Sequence, residues 1–338
     1  MTKIADFTAI ASLCCTILFT TSVASAMEIV PFDSANQSPL VQIYGLPGTG
    51  NALLLSEGAT EVGLNCVLSS NYAIDSNRRE DITLDGETTR FTLMARHGLF
   101  PHLEVGVKMP YIIHGGGFLD GFIENYHRTF GFQQGGRDQA PRNRLLYRYR
   151  QNGSGLVHID TSGSGIGDIS LMTAWQLYQK GGDNRQGIAL NFGLKLPTGD
   201  SDELRGSGST DISLWLTGET KGSLAGGSRW SIYGSAGMLF MTEGNVLPEQ
   251  QKHWAGFGSL GLGWAPLSWL AFKVQADAHT PFFRDSELDE LSDHAVQLII
   301  GGTVGFSEKT TLDIGVSEDL IVETSPDVAL YLTLRTRF

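Results

Sequence analysis

From Val328 to Phe338 the chain alternates apolar and polar residues almost without exception. Val328, Leu330, Leu332, Leu334 and Phe338 share one parity; Ala329, Tyr331, Thr333, Arg335 and Arg337 share the other. Successive side chains of a strand point to opposite faces, so this spacing predicts a strand with one apolar and one polar face. The same period recurs through the chain, for example at Val62, Leu64, Cys66 and Leu68, at Leu103, Val105, Val107 and Met109, and at Ile188, Leu190, Phe192 and Leu194. Twelve strands can be placed in this way. They predict an all-β, antiparallel architecture.

The opposite parity carries the charges. Arg90, Arg96, Glu104, Lys108, Asp168, Lys195, Asp211, Glu219, Lys221, Lys273, Asp277, Asp313, Arg335 and Arg337 all fall on it. In a soluble sandwich these side chains would meet water and the apolar face would be the core. In a transmembrane barrel the apolar face meets lipid and the charges line the lumen.

Two patterns select the barrel. Trp254 and Trp264 lie on one face ten residues apart, and Trp230 and Phe240 repeat the spacing. At ~3.3 Å per residue and a ~40° tilt, this spans ~25 Å, the height of an apolar band between aromatic girdles. Phe338 is expected in the same girdle set as Trp230, Trp254 and Trp264. The connections also alternate. Segments 97–102, 180–185, 222–228, 265–269 and 307–309 are brief, whereas 75–86, 115–165, 197–209, 243–252, 284–293 and 318–327 are longer. Short periplasmic turns and long extracellular loops are the rule for such barrels.

The beginning of the chain reads as an export signal. Lys3 opens it, Phe7 to Val23 is apolar, and Ala24-Ser25-Ala26 offers small residues for cleavage, giving a start near Met27. The expected organisation is therefore a signal at 1–26, a periplasmic segment or plug at 27–58, and an outer-membrane barrel at 59–338. Removing Cys14 and Cys15 with the signal leaves Cys66 without an intramolecular partner. Beyond the signal, no apolar run is long enough for a spanning helix. The 42 glycines and 11 prolines suit many strands joined by polar turns, and a net charge of −12 argues against nucleic acid as a partner.

The long 115–165 segment interrupts the pattern. Phe118, Phe122, Tyr126 and Phe130 recur at helical spacing, and Asp120, Glu124 and His127 fall among them. A short helix docked on the barrel explains this stripe better than a metal site does. Arg137, Arg142, Arg144, Arg148 and Arg150 follow, with a hairpin pattern through Leu145–Ile159. These arginines either attract anions such as lipopolysaccharide phosphates or pair internally with Asp285, Glu287, Asp289 and Glu290. The hairpin would raise the strand count to fourteen if it joined the wall; twelve is the expected number.

The run Gly117-Phe118-Leu119-Asp120-Gly121-Phe122-Ile123-Glu124-Asn125-Tyr126-His127-Arg128-Thr129-Phe130-Gly131, with Gly135-Gly136-Arg137, resembles a family of uncharacterised Gram-negative outer-membrane proteins. Asn36-Gln37-Ser38-Pro39-Leu40 and Tyr44-Gly45-Leu46-Pro47 belong to the same likeness, which runs from about Asn36 to Phe338. It implies a location and a fold, but no activity. Gly165-Ile166-Gly167-Asp168-Ile169 and Leu194-Lys195-Leu196-Pro197-Thr198-Gly199-Asp200 are similar to pieces of outer-membrane channels for organic compounds.

The leading expectation is a passive channel or uptake porin for a small organic solute. A structural or envelope-anchoring barrel with a filled lumen is the alternative. A lipid hydrolase is a third reading, for which His97, His294 and Ser70 face outward, although Ser70 lies far in sequence from His294. No serine and orienting residue are placed with either histidine, so no catalytic residue, cofactor or metal is expected. Expected partners are outer-membrane lipids, lipopolysaccharide and, through the terminal strand, the barrel-assembly machinery.

Overall fold

A computed structural model describes residues 27–119, 121, 141–224, 226–320 and 324–338. Its strands in chain order are β1 (Thr60–Ser76), β2 (Glu80–Phe100), β3 (Leu103–Gly115), β4 (Leu146–Gln151), β5 (Ser154–Ile159), β6 (Gly163–Ile166), β7 (Ser170–Lys180) and β8 (Arg185–Lys195). They continue with β9 (Asp211–Ser223), β10 (Arg229–Met241), β11 (Trp254–Ala265), β12 (Leu270–His279), β13 (Ala295–Gly305), β14 (Thr310–Asp319) and β15 (Val328–Arg337). A single helical turn, α1 (Asp289–Ser292), precedes β13.

Twelve of these strands form a closed antiparallel wall. Sequence neighbours pair around it, β3 pairs with β7, and β15 returns to β1 with Glu61 opposite Arg337. Closure leaves no free edge at membrane depth. The other three strands stay outside the wall. β4 pairs with residues 80–85 of β2, β5 completes the hairpin, and β6 pairs with the end of β3.

Burial follows the alternation. Leu93, Phe272, Ile300 and Leu260 are 51–64% exposed, whereas the opposite parity holds Gln275, Thr303 and Lys273 at 0–3%. A continuous apolar band of that extent calls for lipid outside it. Trp230 lies opposite Trp264, and Phe240 opposite Trp254, so each girdle pair is also a cross-strand pair. The Phe240 and Trp254 rings are 4.8 Å apart. Phe338 is 70% exposed beyond the end of β15.

The predicted loop at 75–86 is not a loop. β1 and β2 continue through it and turn at residues 77–79. Here the apolar parity reverses: Ile82 and Leu84 face inward and are buried, although Phe91 and Leu93 face outward in the same strand. Above the bilayer there is no lipid for an outer apolar face, so burial comes from packing over the mouth. Tyr147 and Tyr149 of β4 and Phe282 and Phe283 join these residues in one apolar cluster, which forms the extracellular cap.

Candidate functional site

Residues 27–58 lie within the ring of strands as an ascending and a descending limb. At the end bearing the short turns, Met27 N–H donates to Ser268 O at 3.1 Å, and Glu28 pairs with Arg185 at 2.6 Å. Going up, Phe32 N–H donates to Gln275 Oε1 at 2.9 Å, and Ser34 Oγ donates to Asp277 Oδ2 at 2.5 Å. Asn36 donates to Thr324 O at 2.9 Å. Leu40, Ile43 and Tyr44 then enter the apolar cap, where Tyr44 stacks on Phe282 at 5.0 Å.

The chain descends past Gly45, whose N–H donates to Asp211 Oδ2 at 2.7 Å. Trp215 Nε1 donates to Thr49 O at 3.1 Å, and Leu55 N–H donates to Glu104 Oε2 at 2.9 Å before β1 begins. A segment without regular structure must satisfy its backbone elsewhere, and here inward side chains of the wall do so. The limbs come close at Gly48. A Cβ there would lie 2.7 Å from Asp33 Oδ1, so the glycine leaves room for that carboxylate.

Most of the sequence-predicted lumen charges are gathered into ion pairs. Arg96 lies 2.6 Å from Glu104 and 2.9 Å from Glu61, and Arg337 reaches the other Glu61 oxygen at 3.1 Å. Lys273 is 2.8 Å from Asp313, which also pairs with Arg335. Glu219 pairs with Lys221 at 2.9 Å. Lys195, almost fully buried, lies 2.5 Å from Asp168 and 3.2 Å from Asp211, and donates to Ser207 Oγ at 2.6 Å. Lys108 reaches across to Asp33 of the inner segment at 2.5 Å.

Arg90 and Asp277 differ from the rest. Among the described residues neither forms an ion pair: Arg90 donates to Gln42 O at 2.9 Å, and Asp277 is held by Ser34 and Gln275. The sequence reading missed Glu28, Asp33 and Glu61. Glu61 shares the inward parity of Gly63 and Asn65, and that was its available signal. Glu28 and Asp33 lie in a stretch without alternation, which gave none.

Two cavities run along one side of the inner segment, against β1, β2, β3 and β7 to β9. One, of about 100 Å³, is bordered by Glu61, Arg96 and Arg335 on the periplasmic side. The other, of about 90 Å³, is bordered by Arg90, Gln42 and Asp168 on the extracellular side. Asp33, Lys108, Gly48 and Met172 border both. The Asp33–Lys108 pair therefore stands at their junction.

The chain belongs to the DUF3187 family, whose members are described as proteins of unknown function. The match covers residues 7–338. No relative is found among curated proteins. The structure is similar to the crystal structure of an outer membrane channel from Pseudomonas putida F1, with 13% identity, 86% of this chain and 98% of that chain covered, and a TM-score of 0.56. The toluene transporter TodX of Pseudomonas putida covers 90% of this chain and 98% of its own at 10% identity, with a TM-score of 0.32. The first likeness is one of fold, that of the outer-membrane barrels.

The structure revises two further expectations for this DUF3187 member. Arg144, Arg148 and Arg150 do pair internally, with Asp85 and Asp81. Arg144 is 2.6 Å from Asp85, and Arg148 is 3.0 Å from Asp81, both on the outer extension of β2. Ser70 keeps its outward parity yet is 1% exposed, so it is covered rather than presented to lipid, whereas His294 is exposed. Two inward glycines, Gly261 and Gly237, give room to large neighbouring side chains. A Cβ at Gly261 would lie 2.2 Å from the Tyr233 ring, and one at Gly237 would lie 2.3 Å from Trp215 Cβ. Asp120, Glu124, His127 and Arg137, with the Phe122, Tyr126 and Phe130 stripe, lie outside the described residues.

Proposed function

We propose that this protein is a passive outer-membrane channel for small organic solutes, with residues 27–58 as an internal plug that narrows the passage. Residues 1–26 are its cleaved export signal in this reading, and the barrel performs no chemistry on what it passes. The observation that carries the proposal is the pair of cavities beside the plug, which meet at Asp33 and Lys108. A static filler would pack its whole perimeter, because a void forfeits contacts on its lining. Here one side of the plug remains unpacked, and charged side chains such as Asp33, Lys108, Arg96 and Arg90 stand among apolar ones along it.

A filled anchoring barrel is the second reading, favoured by the apolar cap that covers the apex of the plug. Reconstitution into planar bilayers, with solute-dependent swelling of proteoliposomes, separates the two. The channel reading predicts a small wild-type current that grows when Lys108 is replaced by Ala. Absence of current and of swelling in both proteins rejects it in favour of the filled barrel.

A further inference from the structure

The cavity on the extracellular side of the Asp33–Lys108 pair has an unusual set of unmet hydrogen-bonding groups. Gln42, 5% exposed, has no partner at either amide atom, and the Oδ1 atom of Asn65 and the Oε1 atom of Gln37 are likewise buried without partners. All three residues border this cavity. Buried polar atoms in native proteins are nearly always paired with protein, water or ligand. Several on one void mark a place where something polar sits.

Arg90 supplies the charge. Its guanidinium borders the same void and spends one N–H on Gln42 O at 2.9 Å. The carboxylates bordering the cavity are already engaged. Asp33 is held by Lys108 at 2.5 Å. Asp168 is held by Lys195 at 2.5 Å and by the N–H groups of Gly199 and Ser207 at 2.8 and 3.2 Å. Arg90 thus keeps its fork of donors facing a polar void, and a fork of that geometry matches a carboxylate.

We infer that this cavity is a binding site for a small organic monocarboxylate, seated on the Arg90 guanidinium and flanked by the Gln42, Gln37 and Asn65 amides. The volume of about 90 Å³ sets the size. It is smaller than the cavity of roughly 150 Å³ that takes up benzene, so an acid of two or three carbons fits and an aromatic acid does not. The inference deepens the channel reading by naming the class of solute, and rests on it for its physiological sense.

The test is equilibrium binding to the full chain in detergent, which needs no conduction and so can fail separately from the bilayer experiment. Saturation-transfer NMR compares glycolate with glycolamide, a neutral molecule of nearly the same shape. The wild-type protein should bind glycolate at least about tenfold more tightly, the scale of a charge-assisted hydrogen bond. Arg90→Gln should abolish the preference, Arg90→Lys should retain part of it, and Lys309→Gln on a short periplasmic turn should leave it unchanged. Equal binding of the two probes by the wild-type protein overturns the inference even if Arg90 variants fail to fold. So does glycolate binding that survives Arg90→Gln.

Discussion

Lys108 Nζ lies 2.5 Å from Asp33 Oδ1, joining the wall strand β3 to the ascending limb of the inner segment. Both side chains retain about a fifth to a quarter of their exposure, so this pair sits in a wet junction rather than in a dry core. Such a contact contributes modestly to stability. Its position matters more than its strength, because it stands between the two cavities. Asp33→Asn should therefore leave the barrel folded and raise conductance, as read in planar bilayers against the wild-type current. An unchanged current in this variant would remove the pair from the route.

Lys195 presents the opposite case. It is 3% exposed and holds two carboxylates, Asp168 and Asp211, that are buried with it. Replacing it by Met leaves both acids in the interior with no cation to hold them, a loss of about 3–5 kcal/mol for a broken buried pair. Urea or guanidinium unfolding in detergent should show this as a lowered midpoint. Adding Asp168→Asn to Lys195→Met should recover part of the loss, since one uncompensated charge is removed.

Gly261 faces the ring of buried Tyr233, with room for no added carbon. Gly261→Ala should cost about 1–3 kcal/mol by overpacking. Tyr233→Phe should cost little, because the phenol oxygen has no hydrogen-bond partner. Combining Gly261→Ala with Tyr233→Ala should be less harmful than the two separate losses added together, as expected for residues in contact. The midpoint of unfolding checks all three.

The extracellular hairpin carries a pH dependence. Burial raises the Glu80 pKa, but hydrogen bonds from Tyr149, the Glu287 N–H, Ser286 and Asn77 outweigh it and hold the carboxyl below its ordinary 4.5. A carboxylate with a depressed folded-state pKa contributes stability above its unfolded pKa and loses it as pH falls through the folded one. Docking of β4 and β5 should therefore be intact at pH 7 and weaken below about pH 4. Amide exchange in 146–159 at the two pH values is the check, with Glu80→Gln expected to flatten the difference.

The period of two made the wall legible, because lipid outside and water inside impose opposite demands on alternate residues. That is why Val328 to Phe338 announced β15 and why Trp254 and Trp264 marked both ends of β11. Where lipid stops, the rule changes. Ile82 and Leu84 carry the same alternation turned inward, so their period gives no sign of an outward apolar face. Most of the lumen charges could be read from parity, but not their partners. Arg337 and Arg96 meet through Glu61 only because β1 has β15 on one side and β2 on the other. The inner segment had no period to read. Its conformation is fixed by Gln275, Asp277, Asp211 and Glu104, each remote in sequence.

On the proposed route, solute passes beside the 27–58 segment, over wall residues whose neighbours in sequence face lipid. Met172 borders both cavities, and Leu171 beside it is 45% exposed on the outer face. In a Cys66→Ser background, Met172→Cys and Leu171→Cys can each be treated with a charged methanethiosulfonate reagent while current is recorded. Modification at 172 should block most of the current, and modification at 171 should leave it unchanged. Equal effects at the two positions, or no effect at 172, would contradict the proposed route.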